Sequence, residues 1–218
     1  MPADAPDPPQ SPYSDEQLRF LQLIMPGIWR QIMEALEVEN LSAAAALGQH
    51  ADQIIQEGMG QIADVRRNIE EAGGTVSDRE GGTGTVSVVE ANGQVFFGLN
   101  GDNYPSDSHE RSYTQQFQKD NFKLKKGQNQ FLYHAEAQSL LRLAEALGDQ
   151  IPAELVLHVD RKTCGQCRKF LPRLAAKLGI RRLTIIVAGG QCGVLENGEW
   201  TWVYSDAESE AETGSESE

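Results

Sequence analysis

The amino-acid sequence predicts a layered α/β fold in which helices flank a mixed five-stranded sheet, with an N-terminal α-helical region before it. Three features of the 218-residue chain support this prediction. Apolar residues recur at helical spacing through residues 15–74. The spacing changes to a period of two over residues 76–100, around the hairpin dipeptide Asn92-Gly93. Residues 136–204 then alternate between helix and strand patterns and close with a hairpin at Asn197-Gly198.

Composition divides the chain into four segments. Residues 1–14 contain five prolines and predict a disordered leader, whereas residues 15–74 predict a helical region. Residues 84–204 predict the α/β domain. The acidic, serine-rich residues 205–218 have nothing to bury and predict a disordered tail. Within the α/β domain, a polar stretch over residues 101–130 shows no clear period, and its length favours a functional role over a mere connection.

The overall composition limits the class of protein. Hydrophobic residues make up 39% of the chain, enough for one ordinary core and a small accessory unit. No apolar run approaches the roughly 20 residues that cross a bilayer, so no membrane contact is expected. The N-terminus lacks a basic start and an apolar segment, so we expect no cleaved signal peptide. Three cysteines are too few for a disulfide framework and fit a reducing, cytoplasmic compartment.

The net charge of −13 is unevenly distributed. Residues 81–205 carry 14 Lys/Arg and 12 Asp/Glu, so this segment is slightly basic. The excess of acidic residues lies in the N-terminal 80 residues and in the tail. The acidity of the whole chain therefore does not exclude a polyanionic substrate for the α/β domain.

Two short motifs indicate a metal site: His134-Ala135-Glu136 and Cys164-Gly165-Gln166-Cys167. Both fall at predicted helix starts, where free N–H groups and the positive helix end stabilise thiolates. Thr163 is the expected N-cap of the second helix. We expect His134, Cys164 and Cys167 to bind one Zn²⁺ ion that keeps an open fourth position. Glu136 has no need to be a ligand and is the expected catalytic base.

Other interpretations of these residues stay open at this point. The Cys-x-x-Cys motif alone also fits a thioredoxin-like redox pair, or part of a structural zinc site. His158 lies in an apolar strand pattern and is expected to be a satisfied core residue, unless it lines the pocket near the metal. Cys192 lies in a glycine-rich turn and is expected to be a free thiol.

Residues 133–147 and 155–179 resemble the deaminase domains of bacterial polymorphic toxins, which belong to the cytidine-deaminase-like superfamily. The His-x-Glu and Cys-x-x-Cys motifs carry the resemblance. It implies a three-layer deaminase-like fold over residues 84–204 and a Zn²⁺ cofactor. It also implies an enzyme that converts cytosine to uracil by hydrolysis, in DNA or RNA, as a bacterial toxin or effector. An immunity protein would then be a partner, and the enzyme would be delivered into a target-cell cytoplasm without a cleaved signal peptide.

Two other functions remain open beside this one. The first is a deaminase that acts on free cytidine or a free nucleotide. The second is a non-catalytic interaction protein in which zinc only stabilises the domain. The target base, the strandedness of the substrate, the role of residues 15–74 and the oligomeric state are left open by the sequence.

The chain departs from the family pattern at two positions. Thr163 stands where a proline usually precedes the first cysteine. Pro172 falls inside the second predicted helix, where it costs about 3 kcal/mol or forces a break. We therefore expect a kink or a restart of this helix near Phe170-Leu171.

Substrate contacts are expected at both sides of the motifs. Asn100, at the end of a strand, is expected to contact sugar, and the backbone N–H around Ala135 is expected to bind the base. Basic residues that interleave with aromatic ones favour a polynucleotide, because cations neutralise phosphates and rings stack on bases. The expected nucleic-acid contacts are Lys123, Lys125, Lys126 and Arg168.

Overall fold

The structure is a computed structural model that describes residues 11–76, 84–100, 103–122 and 130–203. The chain divides into two compact units, residues 1–56 and residues 57–218. Throughout the described ranges, no helix combines the length and apolar character that a membrane span requires. The predicted leader and tail lie largely or wholly outside the described residues, and the four boundaries drawn from composition stay a prediction.

The first unit is helical. It contains α1 (Asp15–Ile24), α2 (Pro26–Glu37) and the first part of α3 (Leu41–Glu71), which continues into the second unit. Ser14 begins α1 with a reciprocal capping box, because its side chain accepts from the Gln17 N–H and its own N–H donates to the Gln17 side chain. Within this unit the Tyr13 hydroxyl donates to the carbonyl of Ala44 at 2.8 Å.

The second unit is built on a mixed sheet. Its described strands follow the order β2-β1-β3-β4-β5-β6, and only β3 and β4 pair in parallel. The strands are β1 (Val86–Ala91), β2 (Gln94–Leu99), β3 (Glu154–Val159), β4 (Arg182–Val187), β5 (Cys192–Glu196) and β6 (Glu199–Val203). The α-helices described beyond α3 are α4 (His109–Asn121), α5 (Ala135–Leu147) and α6 (Gly165–Lys177). The predicted α/β fold with a mixed sheet and an N-terminal helical region is confirmed.

The sheet has six strands in the described part of the chain, one more than the five expected. The C-terminal hairpin supplies two of the six strands. Its turn at Asn197 has a positive φ of 53° and Gly198 follows with 85°, the geometry of a tight hairpin turn. Both arms therefore reach the sheet: β5 pairs with β4, and β6 pairs with β5 as the outer strand.

Helices cover both faces of the sheet. Successive strand residues point to opposite faces, so Val88 and Val89 enter different cores. Val89 packs in the larger core, which holds residues of α5 and α6 such as Leu140 and Leu171. Val88 packs in a smaller core with Ile62, which belongs to α3. The result is the three-layer arrangement, with α5 and α6 on one face and the second half of α3 on the other.

The helix α6 runs without interruption through Pro172. A restart near Phe170-Leu171, one of the two predicted outcomes, therefore does not occur, and the other, a kink, stays a prediction. A proline inside a helix leaves the carbonyl four residues earlier without its usual donor, here that of Arg168. The indole Nε1–H of Trp200 donates to this carbonyl at 2.7 Å, so the missing backbone bond is replaced.

Candidate metal centre

The first turn of α5 lies directly on the sheet. His134 is the N-cap, and its own N–H donates to the carbonyl of Phe131 at 3.0 Å. The Ser87 hydroxyl on β1 donates to the carbonyl of Ala135 at 2.8 Å. On β2, a β-carbon at Gly98 would overlap the same carbonyl, so only glycine permits this approach. The sheet thus fixes the turn that carries His134 and Glu136. The prediction that these two residues lie at a helix start is confirmed.

The first turn of α6 begins at Cys164 itself. Its Sγ accepts from the backbone N–H of Cys167 at 3.5 Å, so Cys164 is the N-cap. The prediction that Thr163 would cap this helix is wrong. The Thr163 hydroxyl is buried and has no hydrogen-bond partner within the described part of the chain. The Cys164 sulfur, one residue later, is the capping acceptor, because it faces the free N–H groups of the first turn.

The two helix starts bring three metal donors together. The donor atoms of His134, Cys164 and Cys167 all lie within 4.8 Å of one another. His134 Nδ1 is 3.2 Å from the Cys164 sulfur and 3.3 Å from the Cys167 sulfur. In a tetrahedral zinc site, sulfur and nitrogen donors lie roughly 3.5 Å apart. The residues therefore fit a Zn²⁺ ion with three protein ligands and one remaining position.

Glu136 lies beside this group and is almost completely buried, with 4% of its surface exposed. Burial raises the pKa of the Glu136 carboxyl above its ordinary value, and the nearby Cys164 raises it further. A hydrogen bond from its own backbone N–H and the proximity of His134 lower the pKa in part. A carboxyl group in such surroundings exchanges protons closer to neutral pH than an exposed glutamate does, which suits a general acid and base.

The pKa values of the two thiols are shifted in opposite directions. A hydrogen bond from Cys167 lowers the pKa of Cys164 to about 3, against the opposing effect of partial burial. The pKa of Cys167 is raised because it donates this bond and because it is buried. Cysteine binds metal as the thiolate, so both sulfurs would lose their protons to a bound ion.

The family of the chain follows from comparison with known proteins. The model of the MafB19-like deaminases matches residues 63–192, more than half of the chain. The chain belongs to the MafB19-like deaminase family. The resemblance to toxin-type deaminases of the cytidine-deaminase-like superfamily is thereby confirmed, and the chain is an enzyme of the deaminase class, which acts on amidines. No curated protein and no solved structure matches it.

Two substrate contacts of this MafB19-like deaminase were expected, at Asn100 and at Ala135. Asn100 follows β2 and is half-buried, and its carbonyl accepts from the backbone N–H of Asn103 at 2.9 Å. Ala135 is fully buried at the start of α5. Their roles toward sugar and base stay predictions.

The basic residues expected to bind nucleic acid divide into two cases. Lys123, Lys125 and Lys126 lie outside the described residues. Arg168 is held within the MafB19-like domain, because its Nε donates to the carbonyl of Thr163 at 3.1 Å and its guanidinium lies 4.3 Å from the ring centroid of Trp202. A contact between Arg168 and nucleic acid stays a prediction.

His158 and Cys192 do not join the metal donors. His158 is buried on the face of the sheet that packs against α3, where its ring lies against Gly58. Its Nε2 has no hydrogen-bond partner among the described residues, so it is a core residue but not a satisfied one. Cys192 is buried, and desolvation raises the pKa of its thiol to about 12, which makes it unreactive.

The sequence motifs do not include the residues that hold the two helix starts in place. These are Ser87 and Gly98 under α5, and Trp200 and Trp202 beside α6. A glycine within a strand pattern signals a close backbone approach, so Gly98 carried a usable signal. The tryptophans showed only the alternation of a strand.

Proposed function

We propose that this deaminase is zinc-dependent and converts cytosine to uracil in DNA or RNA, as a bacterial toxin or effector enzyme. The observation that carries the proposal is Glu136, a buried carboxyl beside three donors that fit zinc. A structural zinc site needs no such carboxyl, and a redox pair gives no role to His134 or Glu136. The family match supports deamination as the reaction.

The proposed mechanism is a hydrolysis in which Glu136 handles the protons. His134, Cys164 and Cys167 would hold Zn²⁺, which lowers the pKa of a bound water towards neutrality. Glu136 accepts a proton from the attacking water, whose oxygen forms a bond to C4 of the ring. Glu136 passes this proton to the ring nitrogen, then takes the remaining proton from the new C4 hydroxyl and gives it to the amino group. The C4–N bond breaks, ammonia leaves, and uracil remains.

A polynucleotide substrate is supported by the charge of the domain. Residues 81–205 carry a small basic excess, whereas the remainder of the chain is strongly acidic. Phosphates are attracted to such a region, and this attraction weakens with salt. A cytoplasmic site of action and an immunity protein as inhibitory partner belong to the same proposal and rest on the family resemblance.

Glu136→Gln tests the mechanism. The substitution keeps the shape of the side chain and removes its ability to take a proton. We expect bound zinc to remain at the wild-type ratio, measured by metal analysis, and ammonia release to fall at least about 100-fold. Glu145→Gln is the matched control, because Glu145 lies exposed on the same helix and its substitution should leave both quantities unchanged.

The substrate is identified with the same proteins. Single-stranded DNA, RNA and free cytidine are each incubated with wild type and Glu136→Gln, and products are sequenced or separated. Uracil formed only in a polynucleotide supports the proposal. Turnover of free cytidine alone would replace it with a nucleoside deaminase, and undiminished turnover by Glu136→Gln would reject the mechanism.

A further inference from the structure

Strand β6 replaces a backbone hydrogen bond that α6 cannot make. Pro172 has no N–H, so the carbonyl of Arg168 lacks its donor four residues later. The indole N–H of Trp200 reaches that carbonyl at 2.7 Å, although 32 residues separate the two in sequence. A buried carbonyl without a hydrogen-bond donor costs free energy. Because Pro172 supplies no donor, the Arg168 carbonyl needs one from elsewhere, and Trp200 supplies it.

The residue that receives this bond is the neighbour of a metal donor. Arg168 follows Cys167 directly, and its backbone N–H donates to the carbonyl of Cys164 at 3.0 Å. Its Nε donates to the carbonyl of Thr163 at 3.1 Å. Arg168, at the end of the turn that carries the two thiols, therefore bonds to both residues at its beginning.

The side chain of Arg168 is held by the same strand. Its guanidinium lies over the ring of Trp202 at 4.3 Å, and this ring stacks on that of Trp200 with centroids 5.0 Å apart. Gly193, the β5 partner of Trp202, makes room for the ring, because a β-carbon there would lie 2.6 Å from it. Strand β6 thus holds Arg168 at its main chain through Trp200 and at its side chain through Trp202.

We infer that Trp200 is a positioning residue for the metal centre: its indole N–H takes the place of the missing Pro172 N–H and fixes the turn from Cys164 to Arg168. The inference rests on the proposed metal site of His134, Cys164 and Cys167. The C-terminal hairpin would thus contribute to metal binding, although none of its described residues belongs to the three metal donors.

The test is a set of four proteins: wild type, Trp200→Phe, Pro172→Ala and the double variant. Trp200→Phe keeps an aromatic ring and removes only the donor. Pro172→Ala restores a backbone N–H that can bond to the Arg168 carbonyl. We expect Trp200→Phe to weaken binding of Co²⁺, followed by its visible absorption, about tenfold. In the double variant, affinity and spectrum should return to near the wild-type values.

Trp29→Phe is the control, because Trp29 lies in α2, outside the unit that holds the metal centre. The urea midpoint of the four metal-free proteins supplies a second readout, and it should fall in Trp200→Phe and recover in the double variant. Wild-type affinity in Trp200→Phe would overturn the inference, as would a loss that Pro172→Ala does not restore. A wild-type protein that binds no Co²⁺ would instead overturn the metal site itself.

Discussion

His158 is a buried titratable residue that lies apart from the metal centre. It belongs to β3, is 6% exposed and faces α3. Burial lowers the pKa of its imidazole to about 4, because a cation on this face would lose its hydration. The ring therefore stays neutral in the folded protein at pH values where the unfolded chain already takes up a proton.

This difference predicts a loss of stability in mild acid. Above pH 6.5 the imidazole is neutral in both states and has no effect. As the pH falls from about 6.5 to about 4, only the unfolded state is protonated, and the free energy of unfolding should fall by about 3 kcal/mol. Urea unfolding at pH 7 and pH 4 measures this loss. His158→Leu should lack it, and parallel pH curves for the two proteins would contradict the prediction.

Among individual residues, the metal donors could be predicted from the sequence, whereas the residues that hold them in position could not. His134, Cys164 and Cys167 were expected to converge because both motifs begin helices, and the structure places them together. The N-cap was misplaced by one residue, since Thr163 and Cys164 both offer an acceptor and only packing selects between them. The bond from Trp200 to Arg168 joins distant parts of the chain, so no local pattern announces it.

At the scale of elements, α3 shows how a helix fits closely against a sheet. Two of its glycines lie two residues apart and face different surroundings. Gly58 is buried, and a β-carbon there would overlap the ring of His158. Gly60 is exposed, and a β-carbon there would meet nothing among the described residues within 4 Å.

The two glycines predict opposite effects of alanine. Gly58→Ala should destabilise the protein by about 1–3 kcal/mol, because the added methyl group overpacks the contact with β3. Gly60→Ala should stabilise it by up to about 1 kcal/mol, because alanine is the better helix former. Thermal or urea unfolding measures both. Equal effects at the two positions would show that α3 does not pack on the sheet as described.

Periodicity predicted some elements and missed others. The strands of residues 86–99 and helices α5 and α6 follow their apolar patterns. Helix α4 lies in the polar stretch that showed no period, because Thr114 is its one fully buried residue. Its start was nevertheless marked by Ser108, whose side chain accepts from the Arg111 N–H at 3.2 Å. Polar helices of this kind are fixed by caps and neighbours rather than by an apolar stripe.

At the scale of the whole second unit, one carboxylate connects three elements. Asp160 follows β3 and accepts from the Val86 N–H of β1 at 3.0 Å. It also accepts from the Nε of Arg66 on α3 at 2.8 Å. Arg66 donates further to the carbonyl of Gly84 at 2.6 Å. Asp160 lies four residues before Cys164, so this junction also fixes the start of the segment that leads to the metal donors.

Arg66 and its neighbour Arg67 test the junction. The side chains of Arg66 and Asp160 are 24% and 14% exposed, whereas those of Arg67 and Asp64 are 60% and 62% exposed. Arg66→Met should lower the free energy of unfolding by about 1–3 kcal/mol, because a partly buried carboxylate loses its partner. Arg67→Met should change it by less than about 1 kcal/mol. Urea unfolding of both variants measures these changes. Equally small changes in the free energy of unfolding would show that the bonds between Arg66 and Asp160 do not stabilise the second unit.

The sulfur of Cys164 begins α6 and also belongs to the three-donor group. An oxidant that joined the sulfurs of Cys164 and Cys167 would remove two of the three donors and alter the helix start in a single event. Metal binding at this group would therefore require reducing surroundings. Thiol chemistry could silence the enzyme reversibly while leaving Glu136 chemically intact.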